Sequence, residues 1–135
     1  MAGLCMQNRE QALEWLSRAS SSLAQARSGR ISDEILFEDL CFNAQQAAEK
    51  ALKAVCIYLE AEFPKTHSIG FLLEILRERN IVISPEVAEG KVLTEYAVET
   101  RYPGAYDPIA EEEYSQALRL AENIVAWAKQ QIGPC

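Results

Sequence analysis

The groups able to bind a ligand or move a proton sit in three stretches. In the first, Phe42, Gln46, Glu49, Lys50, Lys53 and Ile57 recur at spacings that put them on one arc of an α-helix, about 100° wide. Lys50 and Lys53 could grip a phosphate from that face. Glu49 stands four residues ahead of Lys53, the favourable order for an ion pair, and such a pair would make Lys53 structural. In the second stretch, Lys65-Thr66-His67-Ser68, His67 is the only histidine of the chain and so its only ordinary acid or base near neutral pH. Its position at a helix start favours a hydrogen bond that fixes the turn over catalysis. In the third, Arg101-Tyr102-Pro103-Gly104-Ala105-Tyr106, a cation beside a Pro-Gly turn can hold phosphate bidentately while Tyr102 or Tyr106 stacks a base. Glu95 and Glu99 are the competing ion-pair partners of Arg101.

Other chemistries find no residues to carry them. There is no G-x-S-x-G, P-loop, G-x-G-x-x-G or H-E-x-x-H pattern. Glu111-Glu112-Glu113 lies at a helix start, where the positive end of the helix dipole explains it. The four cysteines, Cys5, Cys41, Cys56 and Cys135, lack paired metal-ligand spacing, so neither a metal nor a cofactor is expected. Cys41 and Cys56 would stand about 22 Å apart along one helix and cannot bridge; buried free thiols are expected. A net charge of −7 excludes a generic duplex-binding surface, which needs a basic face, but leaves room for a local basic patch.

The elements that must position these residues are helices. Hydrophobic residues make up 49% of the chain, with only 6 Gly and 5 Pro, and alanine recurs at helical spacing, so an all-α class is expected. A first helix is predicted from about Asn8 to Arg27, with Ala12, Trp15, Leu16, Ala19, Leu23 and Ala26 inward and Gly29 as its left-handed stop. The second is the longest, because no Gly or Pro interrupts Ile31 to Phe63. It starts either at a Ser32 or Asp33 cap or after a short loop to about Phe37, and Pro64 ends it. Leu40, Ala44, Ala47, Ala48, Ala51, Leu52, Val55 and Leu59 form its core stripe. Phe42 and Ile57 on the opposite arc imply that this helix touches something on both sides.

A short helix follows, capped by Thr66 or Ser68, with Ile69, Leu72, Leu73 and Leu76 buried and Asn80 as its stop. Ile81 to Ser84 is a packed connector. Ser84 caps the next helix with Pro85 at its first position, and Val87, Val92, Leu93 and Tyr96 or Ala97 face inward, although Gly90 weakens it. In the last helix Asp107 is the cap, Pro108 the first residue, and Tyr114, Ala117, Leu118, Ala121, Ile124, Val125 and Ala128 the apolar stripe. Short connections make these an antiparallel up-and-down four-helix bundle with an additional short helix, one domain over residues 1–135. With no charged leader ahead of an apolar run and no 18-residue apolar stretch, no signal or membrane span is expected, and the chain is placed in the cytoplasm.

Three stretches, in this order and over nearly the whole chain, resemble the HEPN family of small helical domains. Cys41-Phe42-Asn43-Ala44-Gln45-Gln46-Ala47-Ala48-Glu49-Lys50-Ala51-Leu52-Lys53-Ala54 is similar to its long second-helix signature, with Gln46, Glu49, Lys50 and Lys53 at the recurrent positions. Lys65-Thr66-His67-Ser68 resembles its motif at the next turn, and Arg101-Tyr102-Pro103-Gly104 its arginine-tyrosine-proline loop. The resemblance implies a homodimer whose partner is nucleotide, RNA or a separately encoded minimal nucleotidyltransferase, as in a toxin-antitoxin type pair. Many such domains are metal-independent ribonucleases in which an arginine is followed, a few residues on, by a histidine. The corresponding positions after Arg101 hold Tyr106, Asp107 and Pro108, so that histidine is missing. The expectation is therefore a noncatalytic binding module. The alternatives are a ribonuclease with an atypical second group and a purely structural assembly subunit.

Overall fold

Thirteen of the 22 residues of α2 (Phe37–Tyr58) are buried, and they occupy every side of the helix, so the rest of the protein is wrapped around it. The computed structural model describes residues 2–97, 104 and 107–134. Around α2 stand α1 (Ala2–Arg27), α3 (Ile69–Glu78), α4 (Pro85–Ala88), a 3-10 helix (Glu89–Tyr96) and α5 (Glu111–Gln131), and there is no strand among the described residues. The core stripe of α2 is buried as its spacing requires, except that Leu59 is half-covered. Its alanines, all inaccessible to solvent, let α1 and α5 approach closely.

Hydrogen bonds fix the directions. Arg9 near the start of α1 donates to the Gly133 carbonyl beyond α5, and the Tyr114 hydroxyl near the start of α5 donates to Ala26 at the end of α1, so these helices are antiparallel. Phe37 stacks on Tyr114 at one end, and Tyr58 donates to Gly133 at the other, so α2 and α5 run the same way. The 3-10 helix returns between them: Gly90 lies against Ile124, and Tyr96 donates to the Glu113 carboxylate. Thus α1, α2, the α4 and 3-10 unit, and α5 alternate in direction, with α3 as the additional helix.

The end of α2 differs from expectation, whereas α3 stops at Asn80 as expected. α2 ends at Tyr58 rather than running on to Phe63. Glu60 takes a left-handed φ of 55°, the Ala61 amide donates to the Cys56 carbonyl and the Glu60 amide to that of Ile57. This closes the last turn before Pro64 is reached. The same closure ends α3, with Asn80 at φ 65° and Ile81 donating to Leu76. Arg79 joins the two ends, its guanidinium donating to the Leu59 and Glu60 carbonyls that α2 leaves open.

Helix starts follow expectation at α3 and α4 and depart from it at α1 and α5. Ser68 and Ser84 cap α3 and α4 by accepting from the Phe71 and Val87 amides, as expected. α1 begins at Ala2 rather than Asn8, since helix-favouring Leu4, Met6 and Gln7 extend it. α2 begins after a loop to Leu36, and α5 begins at Glu111 with Ala110 as its uncapped first flank, leaving Asp107 and Pro108 outside the helix. In the Glu89–Tyr96 segment Val92 is exposed while Gly90, Leu93 and Tyr96 are buried. A period of three puts those three residues in one row, which an α-helical reading misplaces. Cys41 and Cys56 are buried thiols, but Cys5 is disulfide-bonded, which corrects the expectation that every cysteine stays reduced.

Candidate functional site

Gln45, Glu49 and Lys53 lie at successive four-residue steps, one above another on α2, and all three are buried. A carboxylate in that position loses its hydration and has to recover it from donors. Glu49, 4% exposed, does so: Gln45 Nε2 donates to its Oε1 at 2.9 Å, His67 Nδ1 meets the same oxygen at 2.9 Å, and Lys53 Nζ donates to Oε2 at 2.9 Å. Burial alone would raise its pKa. The hydrogen bonds from Gln45, Lys53 and His67, with the charge of Lys53, outweigh burial and hold Glu49 below the ordinary carboxylate value. Because the ionised carboxylate only accepts, the proton of the His67 ring must sit on Nδ1.

The turn carrying His67 is set from both sides. The non-helical stretch 60–68 runs back along α2 after the Glu60 turn, so α3 starts beside Gln45 and Glu49 and follows α2 in the same direction. Thr66 Oγ1 accepts from the Ser68 amide, and Thr94 Oγ1, from the 3-10 helix, accepts from that of Ile69 at 3.0 Å. The His67 side chain is 69% exposed even though its Nδ1 is bound to a buried group. Nε2, on the far edge of the ring, is therefore turned to solvent. Among the described residues no buried side-chain nitrogen or oxygen lacks a partner, so the network is complete without a ligand and open only at the imidazole.

The arc read from the sequence is thus divided among several neighbours. Lys53, 8% exposed, is spent on Glu49 and lies over the Phe63 ring at 5.7 Å. Lys50 reaches the other way, donating to Ser22 of α1 at 3.0 Å. Gln46 donates to Gln45 Oε1 at 2.8 Å, and Phe42 and Ile57 are half-buried. The second side of α2 does meet something, and much of what it meets is α1 and residues 63–67 of the same chain. Arg101, Tyr102 and Tyr106 lie outside the described residues. Sequence reasoning did not single out Gln45; the four-residue step from Gln45 to Glu49 to Lys53 was the available signal. Among the described residues no group of three or more His, Cys, Asp or Glu side chains could hold a metal.

The ionised state of Glu49 couples the network to acid. Its pKa is lower folded than unfolded, so the unfolded chain binds its proton first; the stability Glu49 contributes is complete above about pH 4.5 and is lost as pH falls through the lowered value. Thermal melts followed by circular dichroism should show Tm falling below about pH 4.5, with a shallower fall in Glu49→Gln.

A small all-α bundle with a charged ladder buried in its central helix is the class that this geometry defines. The HEPN domain model matches residues 12–131, and the chain belongs to the HEPN family. Among solved structures, the crystal structure of an archaeal HEPN homologue is similar at 26% identity and a TM-score of 0.69, over 90% of this chain and 98% of that one. No curated protein matches. No described helix is long and apolar enough to cross a membrane.

Proposed function

We propose that residues 1–135 form one dimeric HEPN-like module that binds the phosphate of a nucleotide or RNA without cleaving it, alone or paired with a minimal nucleotidyltransferase. The observation that carries this reading is the exposed His67 imidazole, anchored through Nδ1 to a buried and fully satisfied network in a family associated with nucleotides and RNA. Arg101 is the second phosphate-binding side chain of this reading. The chain enters segment 98–106 from Ala97, three residues after Thr94, whose hydroxyl is bound to the His67 turn at Ile69. With Lys53 neutralised by Glu49, phosphate binding in this reading depends on Arg101 and His67 more than on Lys53.

Labelled RNA and a nucleotide panel should bind weakly and with steep salt dependence, and Arg101→Ala should weaken binding about tenfold, as expected for loss of one charged hydrogen bond. The RNA should stay intact on a gel. Sedimentation at tens of micromolar should give a dimer, for which a micromolar dissociation constant corresponds to about −8 kcal/mol. The ribonuclease reading is favoured by one feature: a carboxylate on Nδ1 leaves Nε2 able to accept a proton, the role that the residues after Arg101 do not fill. Metal-independent cleavage abolished in both His67→Gln and Arg101→Ala would establish it. A chain that binds neither probe belongs to the assembly-subunit class.

A further inference from the structure

We propose that His67 is itself a phosphate contact and that phosphate binding is coupled to proton uptake at its Nε2, an inference that rests on the phosphate-binding reading and names its proton-dependent contact. The geometry begins at the buried end. Glu49 takes Nδ1–H at 2.9 Å and is itself fixed by Gln45 and Lys53, so the ring cannot turn Nδ1 outward without leaving a buried acceptor short of a donor. The edge offered to a ligand is therefore always Nε2. A neutral ring presents a lone pair there, which repels a phosphate oxygen; a protonated ring presents an N–H, which donates to it.

Charge counting points the same way. Within the network Glu49 and Lys53 cancel, since they form a buried ion pair, so the cluster is neutral when His67 is neutral and carries one positive charge when it is protonated. Lys65 is exposed on the same turn. The 3-10 helix packed against α3 brings Lys91, whose Cβ would lie 3.7 Å from a Cβ on Gly70, and Glu95, next to Thr94; as an opposed pair these leave the local balance unchanged. Protonation of His67 therefore adds one positive charge to that of Lys65 where a phosphate would arrive.

Because His67 is the only histidine in the chain, its imidazole signals in NMR spectra are unambiguous. The experiment titrates them with pH in the free protein, with adenosine monophosphate, and with a short RNA lacking terminal phosphates, which separates a nucleotide's terminal phosphate from an RNA backbone. The midpoint should move to higher pH by about one unit with at least one probe, equivalent to about tenfold tighter binding to the protonated form. His67→Gln should bind with little pH dependence, and His67→Lys should keep binding at the higher pH values where wild type loses it. The position is exposed enough for both variants to fold, which melting curves check. Binding that leaves the His67 midpoint unmoved, or a wild-type pH profile in His67→Gln, overturns the inference while the phosphate reading stands. No binding of either probe at any pH overturns both.

Discussion

Glu49→Ala is expected to lower the unfolding free energy by about 3–5 kcal/mol, the cost of leaving a buried charge without its partner. Lys53 is nearly as inaccessible as Glu49, and its remaining neighbour, the Phe63 ring at 5.7 Å, offers only a weak cation-π contact in place of a carboxylate. Gln45 Nε2 would also lose its 2.9 Å acceptor, keeping only the longer 3.4 Å contact to the His67 carbonyl. Lys53→Met should cost less, because Gln45 and His67 still serve the carboxylate. The double variant Glu49→Leu with Lys53→Met should be more stable than Glu49→Ala, since no unpaired charge stays behind. Chemical denaturation of the four proteins measures this; equal stability of Glu49→Ala and wild type would mean that the ion pair is not buried in solution.

Gly90→Ala is expected to cost about 1–2 kcal/mol, even though alanine improves helix propensity and restricts the unfolded chain. A Cβ at this position would come within 2.2 Å of Ile124 Cδ1 and 3.1 Å of its Cγ1, and Ile124 is completely buried. Its terminal methyl has nowhere open to move. Removing that methyl supplies the check: Gly90→Ala combined with Ile124→Val should recover most of the loss, and the coupling in a double-mutant cycle should be favourable. A simply additive pair would show that the 3-10 helix and α5 are farther apart than they are here. Glycine at this site serves close approach, and not a special backbone angle.

Local periodicity made the centre of the fold legible. The core stripe of α2 and the four anchors of α3 were readable because burial repeats every three to four residues, and the Ser68 and Ser84 caps because a cap needs only its own next three residues. The Glu49 to Lys53 pair was legible for the same reason, being separated by one helical turn. What depended on distant or unusual backbone was not. Glu60 closes α2 in a conformation that glycine favours, so the sequence pointed past it to Pro64. Val92 falls outside the buried row of Gly90, Leu93 and Tyr96, which follows a period of three inside a segment that reads as α-helix. His67 was expected to fix its turn by a hydrogen bond, but its partner lies 18 residues away on another helix, and Lys50 finds Ser22 across 28 residues. No pattern within one element records such pairings.

The return stretch 60–68 is anchored at both ends, by Arg79 on the Glu60 carbonyl and by Glu49 on the His67 ring. It therefore works as a ruler. One residue of non-helical chain spans up to about 3.3 Å, so adding or deleting one between these anchors would shift the imidazole along α2 by more than the tolerance of a hydrogen bond. Buried Ala61, Phe63 under Lys53 and Thr66 on the Ser68 amide hold the stretch in between, so the position of the only histidine is encoded by a count of residues as well as by their identity.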